Sequence, residues 1–448
     1  MKLSSTISSP AADGQSAGNA AVARPRTDMY IWGSYIALLI VSVIELFSAS
    51  SQEVQIDNIY GPILRHGMFL AIGLVMMLLI QRVHFTRIYY AIPFFVLVSL
   101  LLMVWVLVGG ININGVRRAV RIAGMLVLPA EFLKLSVALG IAWILSRSQI
   151  KTPDGKHDVS NAGVIASAIL VLISSALLFN QGLTNTLLLM SISVCMMLVG
   201  GVSWRKLGYV MLVYIVIGGA AMLFKAVAHE DKGPTPEDIA LAEINQEEVR
   251  STADKGNRFH TWSARIERHF RLNKSGDPIT DENKQEQLSY IAQARGGLTG
   301  VGIGNSRENS RLPLAFSDYI YAIVVEELGA VVAIFVLAFY LFLLGRAGRL
   351  AMQFKSTLPT LLVIGCALVI CLQALFHICI VVGVFPVSGQ PLPLISKGGT
   401  SIIATSIALG VMLSASRGAA RKSDSEEVSK QELSTLPEAV ANDNPSLV

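Results

Sequence analysis

Ten apolar runs, at 30–48, 67–83, 90–109, 128–145, 162–179, 184–202, 207–224, 318–344, 358–384 and 400–415, divide the sequence. A helix needs roughly 20 apolar residues to cross about 30 Å of hydrocarbon, and each run is near that length. Within lipid only helices and closed barrels satisfy their own backbone, and these runs are longer than a barrel strand. The chain is therefore read as an all-α polytopic membrane protein with about ten transmembrane helices. Composition agrees: 53% of the 448 residues are hydrophobic and only 15% are charged, against about a quarter charged in soluble domains. A soluble enzyme on one anchor, a disordered chain and a fibrous chain are excluded. The four cysteines, Cys195, Cys366, Cys371 and Cys379, fall inside apolar runs and spell neither a disulfide framework nor a metal site.

An even number of spans puts both termini on one side, and the basic residues of alternate short loops decide which. One set holds Arg82, Arg87, Arg147, Lys151, Lys156, Arg205, Lys206, Arg346, Arg349 and Lys355, followed by Arg417, Arg421 and Lys422. The first loop of the opposite set has Glu53 and Asp57 against Arg65. The termini are thus expected in the cytoplasm. The net charge of +5 is used in setting topology, and no nucleic-acid partner is expected. Residues 1–28 and 417–448 are rich in small, polar and charged residues and are expected to be disordered cytoplasmic segments. They flank a transmembrane domain at 29–416, with a large extracytoplasmic loop at 225–317. The first apolar run is a full span with no cleavage pattern after it, so no cleavable signal peptide is expected.

Two outer segments break the charge rule. Arg117, Arg118 and Arg121 occupy a short loop that should be depleted of cations, which points to an anionic ligand outside. The 225–317 loop is long enough to be exempt. Inside it, Phe259, Trp262, Ile266 and Phe270 recur at helical spacing, giving an amphipathic helix over 258–270. That helix lies either in the outer membrane interface or on the protein's own surface. Residues 296–306 form a glycine-rich run with no preceding strand, which excludes a dinucleotide site. The run is either a turn needing positive φ or a backbone that admits a bulky ligand, with Asn305 and Ser306 as candidate substrate contacts. Span eight opens on Ser317, Asp318 and Tyr319 and carries Glu326 and Glu327 deeper in. Acids inside spans are costly and usually functional, although Asp318 also suits a helix start. Glu131 and Lys134, three apart after Pro129, share one helix face and could satisfy each other. In 385–401, Pro386, Pro391 and Pro393 with Gly389, Gly398 and Gly399 force broken backbone at membrane depth. Lipid tolerates that only where it is buried in protein or lines a cavity.

In order, GVRRAVRIAGMLVLPAEFLKL, GGLTGVGIGNS, LPLAFSDYIYAIVVEELG and VVGVFPVSGQPLPLISKGGTS resemble the motifs of the shape, elongation, division and sporulation family, which includes FtsW, RodA and SpoVE. The resemblance runs from about residue 30 to residue 417. SDYIYAIVVEELG and TWSARIERHF, at 261–270, are more similar to FtsW than to RodA. The resemblance implies a peptidoglycan glycosyltransferase of the bacterial cytoplasmic (inner) membrane that polymerises lipid II at the outer leaflet, in septal synthesis during division. It implies lipid II, a class B penicillin-binding transpeptidase, other division proteins and membrane lipids as partners. It carries the family's essential acid onto Asp318, and the acidic and basic residues of its PSEFxKL motif onto Glu131 and Lys134. Departures accompany it: Ala119 stands where the family has Trp, Gly182 where it has an acid, His377 where it has Asn, and Lys397 where it has an aromatic.

The implied chemistry needs one carboxylate. A lipid-linked sugar diphosphate has a good leaving group, so no general acid is required, in contrast to glycoside hydrolysis. It needs a base for the acceptor's 4-hydroxyl and positive charge for the diphosphate. Asp318 is the expected base, with inversion at the donor's anomeric carbon, and Arg117, Arg118, Arg121 and Lys397 are candidate phosphate contacts. The cofactor requirement is unknown; a divalent cation could share the phosphate role, with no ligand cluster in the sequence to identify it. The rivals are a lipid II flippase, a different outer-leaflet polymerase or ligase, and a non-catalytic division scaffold. A flippase would carry its site at the midplane between inverted repeats, whereas the irregular elements here are at the outer face.

Overall fold

The computed structural model describes residues 27–53, 61–113, 116–122, 125–151, 157–179, 181–229, 279–280, 283–312, 315–354 and 356–435. Each of the ten apolar runs lies on a helix. α1 (Met29–Glu53), α2 (Gly61–Ile80), α3 (Phe85–Gly109), α4 (Pro129–Arg147), α5 (Asn161–Phe179), α6 (Leu183–Val199) and α7 (Trp204–His229) come first. Within the long loop lies α8 (Lys284–Gly296), and at its end and beyond come a one-turn α9 (Ala315–Asp318), α10 (Ile320–Ala351), α11 (Thr357–Val381) and α12 (Gly399–Thr435). Among the described residues seven helices are long and apolar enough to cross a membrane, and Leu64–Ile80 and Leu183–Val199 are shorter apolar helices. This is an all-α polytopic membrane protein. The helix expected at 258–270 lies outside the described residues. The domain boundary expected at 416 falls inside α12.

The centre of the bundle is α4, α11 and α12, whose membrane windows are 78%, 78% and 83% buried, against 22% for α3 and 28% for α10. Without a hydrophobic drive between helices in lipid, close packing needs small residues at the contacts. A Cβ on Gly140 of α4 would stand 2.9 Å from Leu170 and 3.1 Å from Val96, and one on Gly365 of α11 would stand 3.0 Å from Met196. Pro129 opens α4 at a position where its missing N–H costs nothing.

Two small antiparallel sheets join the helices. β1 (Ile111–Ile113), β2 (Val116–Ile122) and β3 (Met125–Val127) form one, with Asn112 opposite Arg117 and Arg121 opposite Leu126. β4 (Gln149–Lys151) pairs with β5 (His157–Val159). The sequence reading has only loops at these places.

Hydrogen bonds sort the connections to two ends. At one, Arg346 Nε donates to Asp28 Oδ2 at 2.7 Å, Arg417 Nη1 donates to the Gln81 carbonyl at 3.2 Å, and Arg147 Nη1 donates to Tyr89 Oη at 2.9 Å. Gln149 Nε2 donates to the Gly200 carbonyl at 3.0 Å, and Lys206 Nζ to Asp158 Oδ2 at 2.8 Å. These all belong to the loop set rich in Lys and Arg. At the other end Asn309 Nδ2 reaches the Ser48 carbonyl at 3.4 Å, and Gln181 Nε2 reaches the Arg117 carbonyl at 3.4 Å.

Candidate functional site

The segment between α11 and α12 has no regular structure, as its prolines and glycines require; it carries Lys397, packs on Asp318 through Gly389, and accepts a hydrogen bond from Gln373, the partner of Glu131 and Lys134. Its backbone is pinned from several sides. The Leu392 N–H donates to Ser396 Oγ at 2.7 Å, and Ser396 Oγ donates to the Ser317 carbonyl at 2.8 Å. The Lys397 N–H donates to the Phe316 carbonyl at 2.9 Å, and Tyr340 Oη donates to the Pro393 carbonyl at 2.5 Å. Thr400 Oγ1 accepts from the Leu128 N–H at 3.1 Å, tying the loop's end to the junction of β3 and α4.

These bonds explain why Asp318 does not open span eight. In a continuous helix the Phe316 and Ser317 carbonyls would accept from residues 320 and 321. Here Lys397 and Ser396 take them, the backbone breaks at Tyr319 (φ −128°), and α10 starts at Ile320. Asp318 instead closes the one-turn α9, and Tyr319 is the residue preceding the span. The expected helix-start acid thus lies two residues before the first residue of its helix. Asp318 is half-buried, its Oδ1 accepts from Ser317 Oγ at 2.8 Å, and its Oδ2 lies 2.9 Å from where a Cβ on Gly389 would be.

Glu131 and Lys134 do satisfy each other, and a third residue joins them. Lys134 Nζ donates to Glu131 Oε1 and to Gln373 Oε1, both at 2.8 Å. Gln373 Nε2 donates to Glu131 Oε2 at 3.1 Å and to the Pro391 carbonyl at 3.2 Å. Lys134 is 0% exposed and Glu131 7%. The network joins α4, α11 and the loop that contacts Asp318. Gln373 was missed by sequence reasoning, although a lone amide in an apolar run carries the same signal as a lone charge.

The three arginines do not form one cluster. Side chains alternate along β2, so Arg117 and Arg121 share a face and Arg118 has the other. Arg117 Nη1 donates to the Leu107 and Val108 carbonyls at 2.9 and 2.7 Å, capping the C-terminus of α3. Arg121 is exposed.

The glycine run approaches protein, not open space. Val301 and Gly302 N–H groups donate to the Glu326 and Glu327 carbonyls at 2.9 and 3.0 Å, and the Ala330 N–H donates to the Gly297 carbonyl at 3.0 Å. A Cβ on Gly296 or Gly300 would collide with the α10 backbone at Val325 and Glu327. Gly300, Gly302 and Gly304 have φ of +79°, +95° and +77°, and Gly329 (φ +85°) kinks α10 to meet the run. Ser306 Oγ donates to Glu326 Oε2 at 2.5 Å, and Asn305 Nδ2 donates to the Val301 carbonyl at 3.1 Å. Glu326 also accepts from Arg295 Nη1 at 2.7 Å and from the Arg307 N–H at 3.1 Å. Glu327 accepts from Ser48 Oγ and from the Gly304 N–H at 3.1 Å. Both acids are therefore latches for the run, and Asn305 and Ser306 are engaged in holding it.

A narrow crevice lies between α1, α2, α9 and the loop, lined by Ser42, Glu45, His66, Phe316, Ile395 and Lys397 among others. Glu45 and His66 were not singled out from the sequence; an acid alone in the first apolar run was the available signal. Among the described residues no group of three His, Cys, Asp or Glu side chains is placed to hold a metal ion.

Residues 28–421 match the profile of the cell cycle protein family that groups FtsW, RodA and SpoVE. The chain belongs to this family. It is 26% identical to a probable peptidoglycan glycosyltransferase FtsW of Trichlorobacter lovleyi over 400 residues, covering 87% of this chain and 93% of the relative. It is 29% identical to the Nitrosococcus halophilus protein of the same description, covering 87% and 92%. The stage V sporulation protein E of Bacillus subtilis is 26% identical, covering 85% and 94%. Two solved structures share the fold. A chain of a peptidoglycan synthase complex, described as coordinating polymerization and crosslinking, has a TM-score of 0.61 at 23% identity, covering 87% of this chain and 98% of that one. Rod shape determining protein RodA of Thermus thermophilus has a TM-score of 0.56 at 21% identity, covering 87% and 97%.

Of the four residues read from the sequence as departures from the family's motifs, Ala119 and His377 are buried, and Gly182 and Lys397 are half-buried. Ala119 is fully buried in β2. His377 is 1% exposed, and its Nδ1 donates to the Gln390 carbonyl at 2.6 Å, fixing the loop beside Gly389. Gly182 is the N-cap of α6 in extended backbone. Lys397 is half-buried at the crevice.

Proposed function

We propose that this chain is a peptidoglycan glycosyltransferase that polymerises lipid II at the outer leaflet of the cytoplasmic membrane, in septal synthesis during cell division. The observation that carries the reading is the convergence on one loop. Asp318 packs on Gly389, the Glu131–Lys134–Gln373 network hangs from Pro391, and Lys397 binds the backbone of the Asp318 turn. A titratable acid, a buried charge network that fixes its surroundings and a nearby cation are what diphosphate-sugar transfer requires.

In this reading Asp318 takes the proton of the acceptor's 4-hydroxyl as that oxygen attacks the donor's anomeric carbon. The bond from that carbon to the lipid diphosphate breaks, the diphosphate leaves with its electron pair, and the configuration inverts. Lys397, with Arg118 and Arg121, supplies charge to the leaving group. Glu131 and Lys134 act by holding the loop against Asp318. The names of the relatives support the reaction, and the synthase complex supports a class B penicillin-binding transpeptidase as partner. The end of the bundle holding Asp318 faces outward, and the termini lie in the cytoplasm.

Purified protein in liposomes carrying fluorescent lipid II tests the reading against a flippase. Glycan polymer in the presence of the transpeptidase partner is expected. Movement of lipid II between leaflets without polymer would replace this reading by the transporter.

A further inference from the structure

Pro386, Pro391 and Pro393 remove backbone N–H donors from the loop after α11 but keep their carbonyls, so the loop needs donors from elsewhere. Two of them come from α11. Gln373 and His377 are four apart, on successive turns of one helix face, and both are buried. Gln373 Nε2 donates to the Pro391 carbonyl at 3.2 Å, and His377 Nδ1 donates to the adjacent Gln390 carbonyl at 2.6 Å. A carbonyl only accepts, so the proton sits on Nδ1, and this is the ring's one hydrogen bond among the described residues. The residue before Gln390 is Gly389, in left-handed backbone at φ +67°, and a Cβ there would stand 2.9 Å from Asp318 Oδ2. The stretch 389–391 is thus held from α11 while it abuts the carboxylate. His377 stands where the sequence reading has the family's Asn. In Asn and in His the donor nitrogen is bonded to Cγ, so either presents its N–H at the same reach from the helix, whereas Gln places it one bond farther out.

We propose that His377 is a positioning residue for Asp318: its Nδ1–H holds the Gln390 carbonyl and so fixes Gly389 against the Asp318 carboxylate. The effect on turnover rests on the reading of Asp318 as the base. The hold on the loop does not.

Full-length His377→Leu, His377→Gln and His377→Asn proteins, each with the transpeptidase partner, are assayed for KM and kcat with lipid II, counted per mole of monodisperse protein. Amide exchange over 387–390 is measured alongside. His377→Leu removes the donor and His377→Gln displaces it. Both should lower kcat by about tenfold or more with KM within about twofold of wild type, because a misplaced reacting group acts on the transition state. His377→Asn should recover most of that loss. Exchange at 387–390 should accelerate in His377→Leu and His377→Gln and return toward wild type in His377→Asn. A purely structural role would lower Tm and yield and leave the kcat of the folded protein unchanged. If His377→Leu does not fold, His377→Gln carries the same comparison. Wild-type kcat in the folded Leu and Gln variants, or an equal loss in His377→Asn, would overturn the positioning role. Unchanged exchange at 387–390 would overturn the hold itself, whatever the enzyme does. Accelerated exchange in variants of a protein whose wild type polymerises nothing would uphold the hold and sink the glycosyltransferase reading alone.

Discussion

Lys134 carries its charge with no exposure to water, shared between Glu131 and Gln373. Breaking one partner of such a group leaves an uncompensated charge, which costs about 3–5 kcal/mol. Lys134→Met should therefore lower detergent Tm sharply, and pairing it with Glu131→Leu should recover part of the loss. Equal Tm values for wild type and Lys134→Met would show that the network bears no charge. Gly389 governs the candidate base more directly. It has φ +67° and packs on Asp318 Oδ2. Gly389→Ala should displace the carboxylate and reduce lipid II polymerisation on the order of 10²-fold, with yield and helix content close to wild type. Retained polymerisation would mean that Asp318 tolerates displacement and is not the reacting group. Asp318, Glu131 and Lys134 were legible from sequence because charge in an apolar run is conspicuous. Gln373 and Glu45 carried the same signal more quietly. The partners of Asn305 and Ser306 were not legible: Ser306 meets Glu326, 20 positions further along the chain, and no local pattern announces that contact.

At the scale of elements, the glycine run and α10 are one unit. Four backbone or side-chain donors from 295–307 converge on the Glu326 and Glu327 carboxylates, and α10 gives up regular geometry at Gly329 beside the run. Glu326→Gln removes the ion pair with Arg295, whose side chain is 28% exposed, so the loss is discounted to about 1–3 kcal/mol. Amide exchange in 297–312 should accelerate while α4 and α11 are unaffected; unchanged exchange in that segment would refute the latch. The helices were readable because lipid leaves a long apolar run no other option. The small sheets were not, since β1 and β3 are three residues each and VRRAVRI lacks alternation. Nor was the break at Tyr319, which depends on carbonyls captured by residues 396 and 397, about 80 positions away.

Across the whole molecule the contacts separate into a basic end and an end that holds Asp318, the glycine run and the Pro-rich loop. The charge rule assigns the basic end to the cytoplasm. Single cysteines at Ser16 and Ser275 should thus react oppositely with a membrane-impermeant thiol reagent in spheroplasts, and equal labelling would remove the outer-leaflet site. Such an arrangement lets a lipid-borne substrate present its head group at the Asp318 end while its tail stays in the membrane. The central claim is that Asp318 is the base. Its most direct measurement compares wild type with Asp318→Asn, each purified with a transpeptidase partner and incubated with labelled lipid II. Loss of a general base typically costs about 10²–10⁴-fold, so the variant should lose polymerisation to that extent while its expression, Tm and partner binding match wild type. Glycan strands from Asp318→Asn at the wild-type rate would contradict the account.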